Sequence, residues 1–191
     1  MTMQNDDKRM RILEAARELF TSLPFHKVLL SDVAKTAGVG KGTLYLYFKS
    51  KEQLYLAVSL TGYSAIVDRM RGHVDATMKS PEEQLIGIIK ECFYALHGKQ
   101  FVTELMRGTV VNCPDTAEWN QKRMEMYGLI ETVLRRGVEQ GVFEDVHPEL
   151  TAVFVPGLIR SAILFAPDTL DVDIMCEHIL NFVLKSLRKT H

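Results

Sequence analysis

The sequence predicts an all-α chain of about nine helices. A three-helix head at residues 1–50 is followed by a longer helical body at 51–191. Three observations lead there. Apolar residues recur at spacings of three and four, as in Ile12, Ala16, Leu19 and Phe20, or in Leu85, Ile88, Ile89, Cys92, Phe93 and Leu96. Gly and Pro punctuate these runs where helices would stop and start, and no run alternates with the period of two that a half-buried strand needs. The stretch Ser31–Lys51 reads as two short helices pinched around Gly38.

In the head, Asn5, Asp6 and Asp7 are candidate N-caps for a first helix over about residues 8–20. Pro24 ends that helix and Phe25 packs inward. Val33, Ala34 and Ala37 then share one helix face, and Gly38 takes the left-handed backbone that ends the second helix. Val39 re-enters the core, and Leu44 and Phe48 give the third helix one buried edge. Its outward face carries Lys41, Gly42, Thr43, Tyr45 and Tyr47, with Lys49 and Lys51 at its end. Cations, a hydroxyl and phenols at this spacing suit phosphates and base edges better than a small substrate.

These residues resemble the TetR family of bacterial one-component regulators. The pattern is carried by Asp32-Val33-Ala34, Ala37-Gly38-Val39, Gly42-Thr43-Leu44-Tyr45, Tyr47-Phe48, Ser50-Lys51 and Leu54, and covers roughly the first 55 residues. The resemblance implies a homodimeric, ligand-responsive regulator, most often a repressor, that binds double-stranded operator DNA and is released by a small, largely apolar effector. It assigns DNA contacts to Ser31, Lys41, Gly42, Thr43, Tyr45, Tyr47 and Lys51. Three departures stand out: Ser22-Leu23-Pro24-Phe25 where relatives carry Gly and an aromatic, Val28-Leu29-Leu30 where they carry hydroxyls, and Gly40 in place of serine. The second departure removes a phosphate contact and leaves an alternative open, a ligand-binding or interaction module of the same fold without specific operator binding.

Along the body, Ser50 and Gln53 form a capping-box pattern opening a long helix to about Met78. Pro81 opens the next helix, which Gly98 ends. A short helix is expected from Phe101 to about Arg107, followed by a turn at Cys113-Pro114-Asp115. A helix from Thr116 to about Gln140 is stopped by Gly141. Pro148 begins another, to about Phe165, with Pro156 inside it as an expected kink. The last spans about Asp171 to Arg188. Phe93, Leu96, His97, Phe101, Met106, Trp119, Met124, Tyr127, Phe154 and Leu158 are candidates for an adaptable apolar effector pocket. The last two helices are too apolar for a solvent-facing end, and the stretch 153–165 is apolar on more sides than one neighbour covers. The resemblance implies that these helices pair with their copies in a partner, with Val155, Ile159, Ala162, Ile163, Cys176, Leu180, Val183 and Leu187 at the dimer interface.

Composition narrows the remaining classes. Residues 1–54 hold nine Lys/Arg against six Asp/Glu, while the rest holds fourteen against eighteen, a basic head on an acidic body. The three cysteines, Cys92, Cys113 and Cys176, lie far apart, with no C-x-x-C pair. Neither a disulfide framework nor a metal site is expected, and a reducing cytoplasm is. The polar N-terminus is not expected to be a secretory signal, and no apolar run is expected to approach the roughly 18 residues of a membrane span. No nucleophile, metal-hydrolase or phosphate-loop motif is present, so neither an enzyme nor a cofactor is expected.

Overall fold

In the computed structural model, residues 2–97, 116–167 and 169–188 are described. They form eight α-helices and one short 3-10 turn. The N-terminal elements are α1 (Thr2–Ser22), the turn Phe25–Lys27, α2 (Leu30–Thr36), α3 (Lys41–Tyr47) and α4 (Lys51–Val74). The body continues with α5 (Pro81–Leu96), α6 (Ala117–Glu139), α7 (Pro148–Phe165) and α8 (Val172–Ser186). The chain is all-α, as expected, and no strand occurs among the described residues. The expected helix at Phe101–Arg107 and the turn at Cys113 lie outside them.

The N-terminal compact unit includes the chain to Tyr63, past the expected boundary at residue 50. The reason is packing: Leu54, Tyr55 and Val58, on the first turns of α4, fill the same core as Ile12, Ala16, Phe20, Val33, Leu44 and Phe48. Helices as short as α2 and α3 are unstable alone, and this shared core holds them. Phe25 turns inward and meets Tyr55 edge-on at 5.1 Å, while Phe20 meets Tyr55 at 5.0 Å. Such pairs add about 0.5–1.5 kcal/mol each to their burial. Ser50 accepts from the Gln53 amide at 3.1 Å as the capping pattern predicts. The Gln53 side chain, however, takes the Lys49 amide at 2.6 Å rather than that of Ser50.

In the body unit, α5 packs on α6, α7 and α8, α6 on α7, and α7 on α8. Ser80 and Glu83 complete a capping box at the start of α5, one that the sequence reading passed over. The Ser80 backbone amide holds the Glu83 carboxyl below its usual range. Asp171 caps α8 by accepting from the Asp173 and Ile174 amides at 2.9 and 3.2 Å. Gly141, at φ 69°, ends α6 in the left-handed conformation, and the returning Phe143 ring lies against Gly137. The α4 helix ends at Val74, short of the expected Met78, where a buried polar cluster takes over. Gln84 is 0% exposed and donates to the carbonyls of Val74 and Ala76 at 3.3 and 2.9 Å. Arg136 donates to Gln84 Oε1 at 2.7 Å and to the Val74 carbonyl at 3.1 Å.

Pro156 sits inside α7, whose helical assignment runs through it. This helix corrects one expectation. Its 18 residues, at a mean hydropathy of 1.4, are long and apolar enough by length and composition to cross a membrane, although Glu149 and Arg160 interrupt the apolar run. Ala152, Val155 and Ile159 are buried, while Val153, Phe154 and Phe165 stand exposed. Apolar residues on both sides raise the average where no uninterrupted stretch does.

Candidate nucleic-acid interface

The geometry of α2, Gly38 and α3 follows from a few local contacts. Ala37 closes α2, and Gly38, at φ 62°, reverses the chain. Arg11 on α1 donates to the carbonyls of Ala37 and Gly38 at 2.6 and 3.1 Å, fixing the turn from behind. Its guanidinium lies where a Cβ on Gly38 would go, so both the dihedral and the space call for glycine there. Gly40 is the N-cap of α3 and makes no side-chain capping bond. Leu29 is the N-cap of α2 and likewise offers none, as the missing hydroxyls at Val28-Leu29-Leu30 implied.

On α3, Leu44 is buried, Thr43 and Tyr47 are half-buried, and Lys41, Gly42, Tyr45 and Leu46 are exposed. Ser31 is exposed in the first turn of α2. The outward face therefore gathers Lys41, Gly42 and Tyr45, with Thr43 at its edge. Tyr47 packs against the head core, so its ring braces as much as it presents. Leu46 escaped the sequence reading, although the spacing could have found it. Leu44 and Phe48 take the inward positions, so the residue midway between them points outward.

Lys51 also has a structural role. Its ammonium donates to the carbonyls of Phe25 and Val28 at 2.9 and 3.0 Å and lies 4.4 Å from the centre of the Phe25 ring. Those carbonyls belong to the 3-10 turn and the residue that follows it. Lys51 is thus a strut between that turn and α4. Lys51→Met is expected to lower head stability by about 1.5–3 kcal/mol, the range for hydrogen bonds to a charged group. The salt dependence of DNA binding should stay unchanged. Chemical denaturation and salt titration of binding check the two halves of this prediction.

The body residues fall out differently from expectation. Val155, Ile159, Cys176, Leu180, Val183 and Leu187 were expected to face a partner, yet all are buried within the chain. Ala162 and Ile163 are half-buried. Phe154 and Leu158, expected in the effector pocket, instead line an open hollow of about 280 Å³ together with Thr151, Phe182 and Ser186. The cause is helical phase. Successive residues turn by about 100°, so Phe154 stands exposed while Val155 beside it is buried, although both line the hollow. Met124, also expected in the pocket, is 64% exposed, and Met126 is buried in its place. Phe93 and Trp119 are buried, and Leu96, His97 and Tyr127 are half-buried. His97 stacks on Phe93 at 5.4 Å. Phe101 and Met106 lie outside the described residues. Cys92 is buried beside Met70, and burial pushes its thiol up to about 12, which leaves it inert as a nucleophile. No cluster able to hold a metal occurs among the described residues.

Comparison with known proteins bears on this arrangement. Residues 12–58 match the family described as bacterial regulatory proteins, tetR family. The chain is 28% identical over 189 residues to the HTH-type transcriptional regulator YfiR of Bacillus subtilis, covering 93% of this chain and 91% of that protein. It is 29% identical over 148 residues to the fatty acid metabolism regulator protein of the same organism, covering 74% of each. Its fold is similar to that of the transcriptional regulator FadR from Bacillus subtilis in complex with stearoyl-CoA. The TM-score there is 0.70 at 21% identity, over 94% of this chain and 100% of that one. These relatives are transcriptional regulators, and the helix-turn-helix head of the chain, at residues 12–58, is of the TetR family.

Proposed function

We propose that the chain acts as a homodimer that holds a double-stranded operator and releases it when a small, largely apolar effector binds the body. The carrying observation is the exposed face of α3, where Lys41 and Tyr45 stand clear of a core that fixes the helix from behind. In this reading the head enters the major groove with α3, as helix-turn-helix proteins do. Lys41 reaches guanine acceptors, Thr43 a base or phosphate, and Tyr45 and Ser31 phosphates, while Gly42 allows close approach. The body takes the effector and the partner chain, and the protein works where the operator lies, in the cytoplasm.

The partner is a second copy, because one head makes few contacts and two half-sites multiply them. The exposed apolar side of α7 and α8 supports this, since Phe154, Phe165, Ile174 and Phe182 are each more than half exposed. The effector's site is drawn from Phe93, Leu96, His97, Trp119 and Tyr127 on α5 and α6. Effector and operator compete because the effector prefers a body conformation whose head spacing misfits DNA. The relative named for fatty acid metabolism, and the similar fold that binds stearoyl-CoA, make a long-chain acyl-CoA the first effector to assay.

Selection of duplexes from a random pool by the full chain, followed by mobility shift, tests the operator reading. Lys41→Ala is expected to weaken the enriched duplex about ten-fold or more, a base contact being worth about 1–3 kcal/mol. No enriched duplex at moderate salt would favour the second reading, a module without operator recognition. The uncapped start of α2 at Leu29 is the observation on its side.

A further inference from the structure

We propose that Leu46 reads the 5-methyl group of a thymine in each operator half-site. The proposal rests on the operator reading above and adds a sequence preference to it. Leu46 is 75% exposed, the most exposed large apolar side chain of α3, beside Tyr45 at 40%. It stands one turn after Gly42, where a Cβ would meet nothing within 4 Å. Helical side chains lean toward the preceding turn, so the leucine covers the space that Gly42 leaves open. The cation nearest in sequence is turned away: Lys49 donates its ammonium to the Tyr45 carbonyl at 3.0 Å. The centre of the outward face is therefore apolar, with Lys41 at the N-terminal end.

Major-groove base edges are donors and acceptors, with one apolar exception, the thymine methyl. A leucine pressed on guanine, adenine or cytosine strips water from polar groups and returns no hydrogen bond. Pressed on thymine, it buries a methyl group at little polar cost. Leu46 thus separates thymine from uracil, which differ by that methyl alone.

The test uses the full chain and the duplex enriched by selection, with thymines replaced singly by deoxyuridine. At one position in each half-site, the replacement should weaken wild-type binding about four-fold, the equivalent of one buried methyl group. Leu46→Ala should lose that discrimination while keeping any found elsewhere, and Lys41→Ala should keep it. Because Leu46 is exposed, its variant should melt as the wild type does, which circular dichroism checks. Equal discrimination by wild type and Leu46→Ala, or none at any position in the wild type, overturns the proposal and leaves operator binding standing. Failure to enrich any duplex overturns both.

Discussion

Phe182→Glu is expected to turn the proposed dimer into monomers and to cut operator affinity about a hundred-fold or more. Phe182 is 58% exposed on α8, and Phe154 on the neighbouring α7 is 61% exposed. Both line the open hollow, as does Leu158. Burying a phenylalanine side chain contributes about 1.5–3 kcal/mol. In a two-fold interface every residue counts twice, so the loss is about 3–6 kcal/mol before the cost of desolvating two carboxylates. Operator binding falls with it, because a monomer reads one half-site where the dimer reads two. Sedimentation velocity and mobility shift at matched concentrations check this, and a persistent dimer in the variant would sink the assignment of this face. The choice of residue matters. Val183 next to it is 2% exposed, and a charge there would unfold the body instead of parting two copies.

That contrast shows what was readable in the sequence and what was not. In the head, each apolar position had polar neighbours to set its direction, so Ile12, Ala16, Phe20, Val33, Leu44 and Phe48 fell inside as the spacing said. The exposure of Lys41, Gly42 and Tyr45 followed from the same phase. The bracing role of Lys51 was not readable, because its partners are the carbonyls of Phe25 and Val28, 26 and 23 residues away, and such contacts leave no mark in local spacing. In α7 the phase itself was lost. A helix apolar on most sides fits several rotations equally, so the spacing could not say that Val155 would be buried within the chain and Phe154 exposed. Leu85, Ile88, Ile89 and Phe93 on α5 posed no such problem, with Glu82, Glu91 and Lys90 marking the other side.

Arg136→Ala is the second large effect, with an expected loss of about 2–4 kcal/mol in body stability. Arg136 holds two acceptors at once, Gln84 Oε1 at 2.7 Å and the Val74 carbonyl at 3.1 Å. Removing it strands Gln84 Oε1 on a residue that is 0% exposed, where water cannot replace the donor. A hydrogen bond to a charged group is worth about 1.5–3 kcal/mol, and a stranded buried acceptor costs about 1–3 kcal/mol more. The Val74 carbonyl also accepts from Gln84 Nε2 at 3.3 Å, so it keeps one partner, which limits the loss. For a chain of this size, 3 kcal/mol corresponds to a fall of about 6–12 °C in Tm. Arg136→Lys supplies one cationic donor where two acceptors wait, and should fall between. The double variant Gln84→Leu with Arg136→Met removes both partners of the central bond, and should cost less than the sum of its single changes, because no polar group is left waiting for the other. Urea titration gives the free energies. Amide exchange at residues 71–76 should quicken in Arg136→Ala, since these amides end α4 where the cluster holds it. Equal stability of wild type and Arg136→Ala, with exchange there unchanged, would mean that water fills the gap and that the cluster does not anchor this end of the helix.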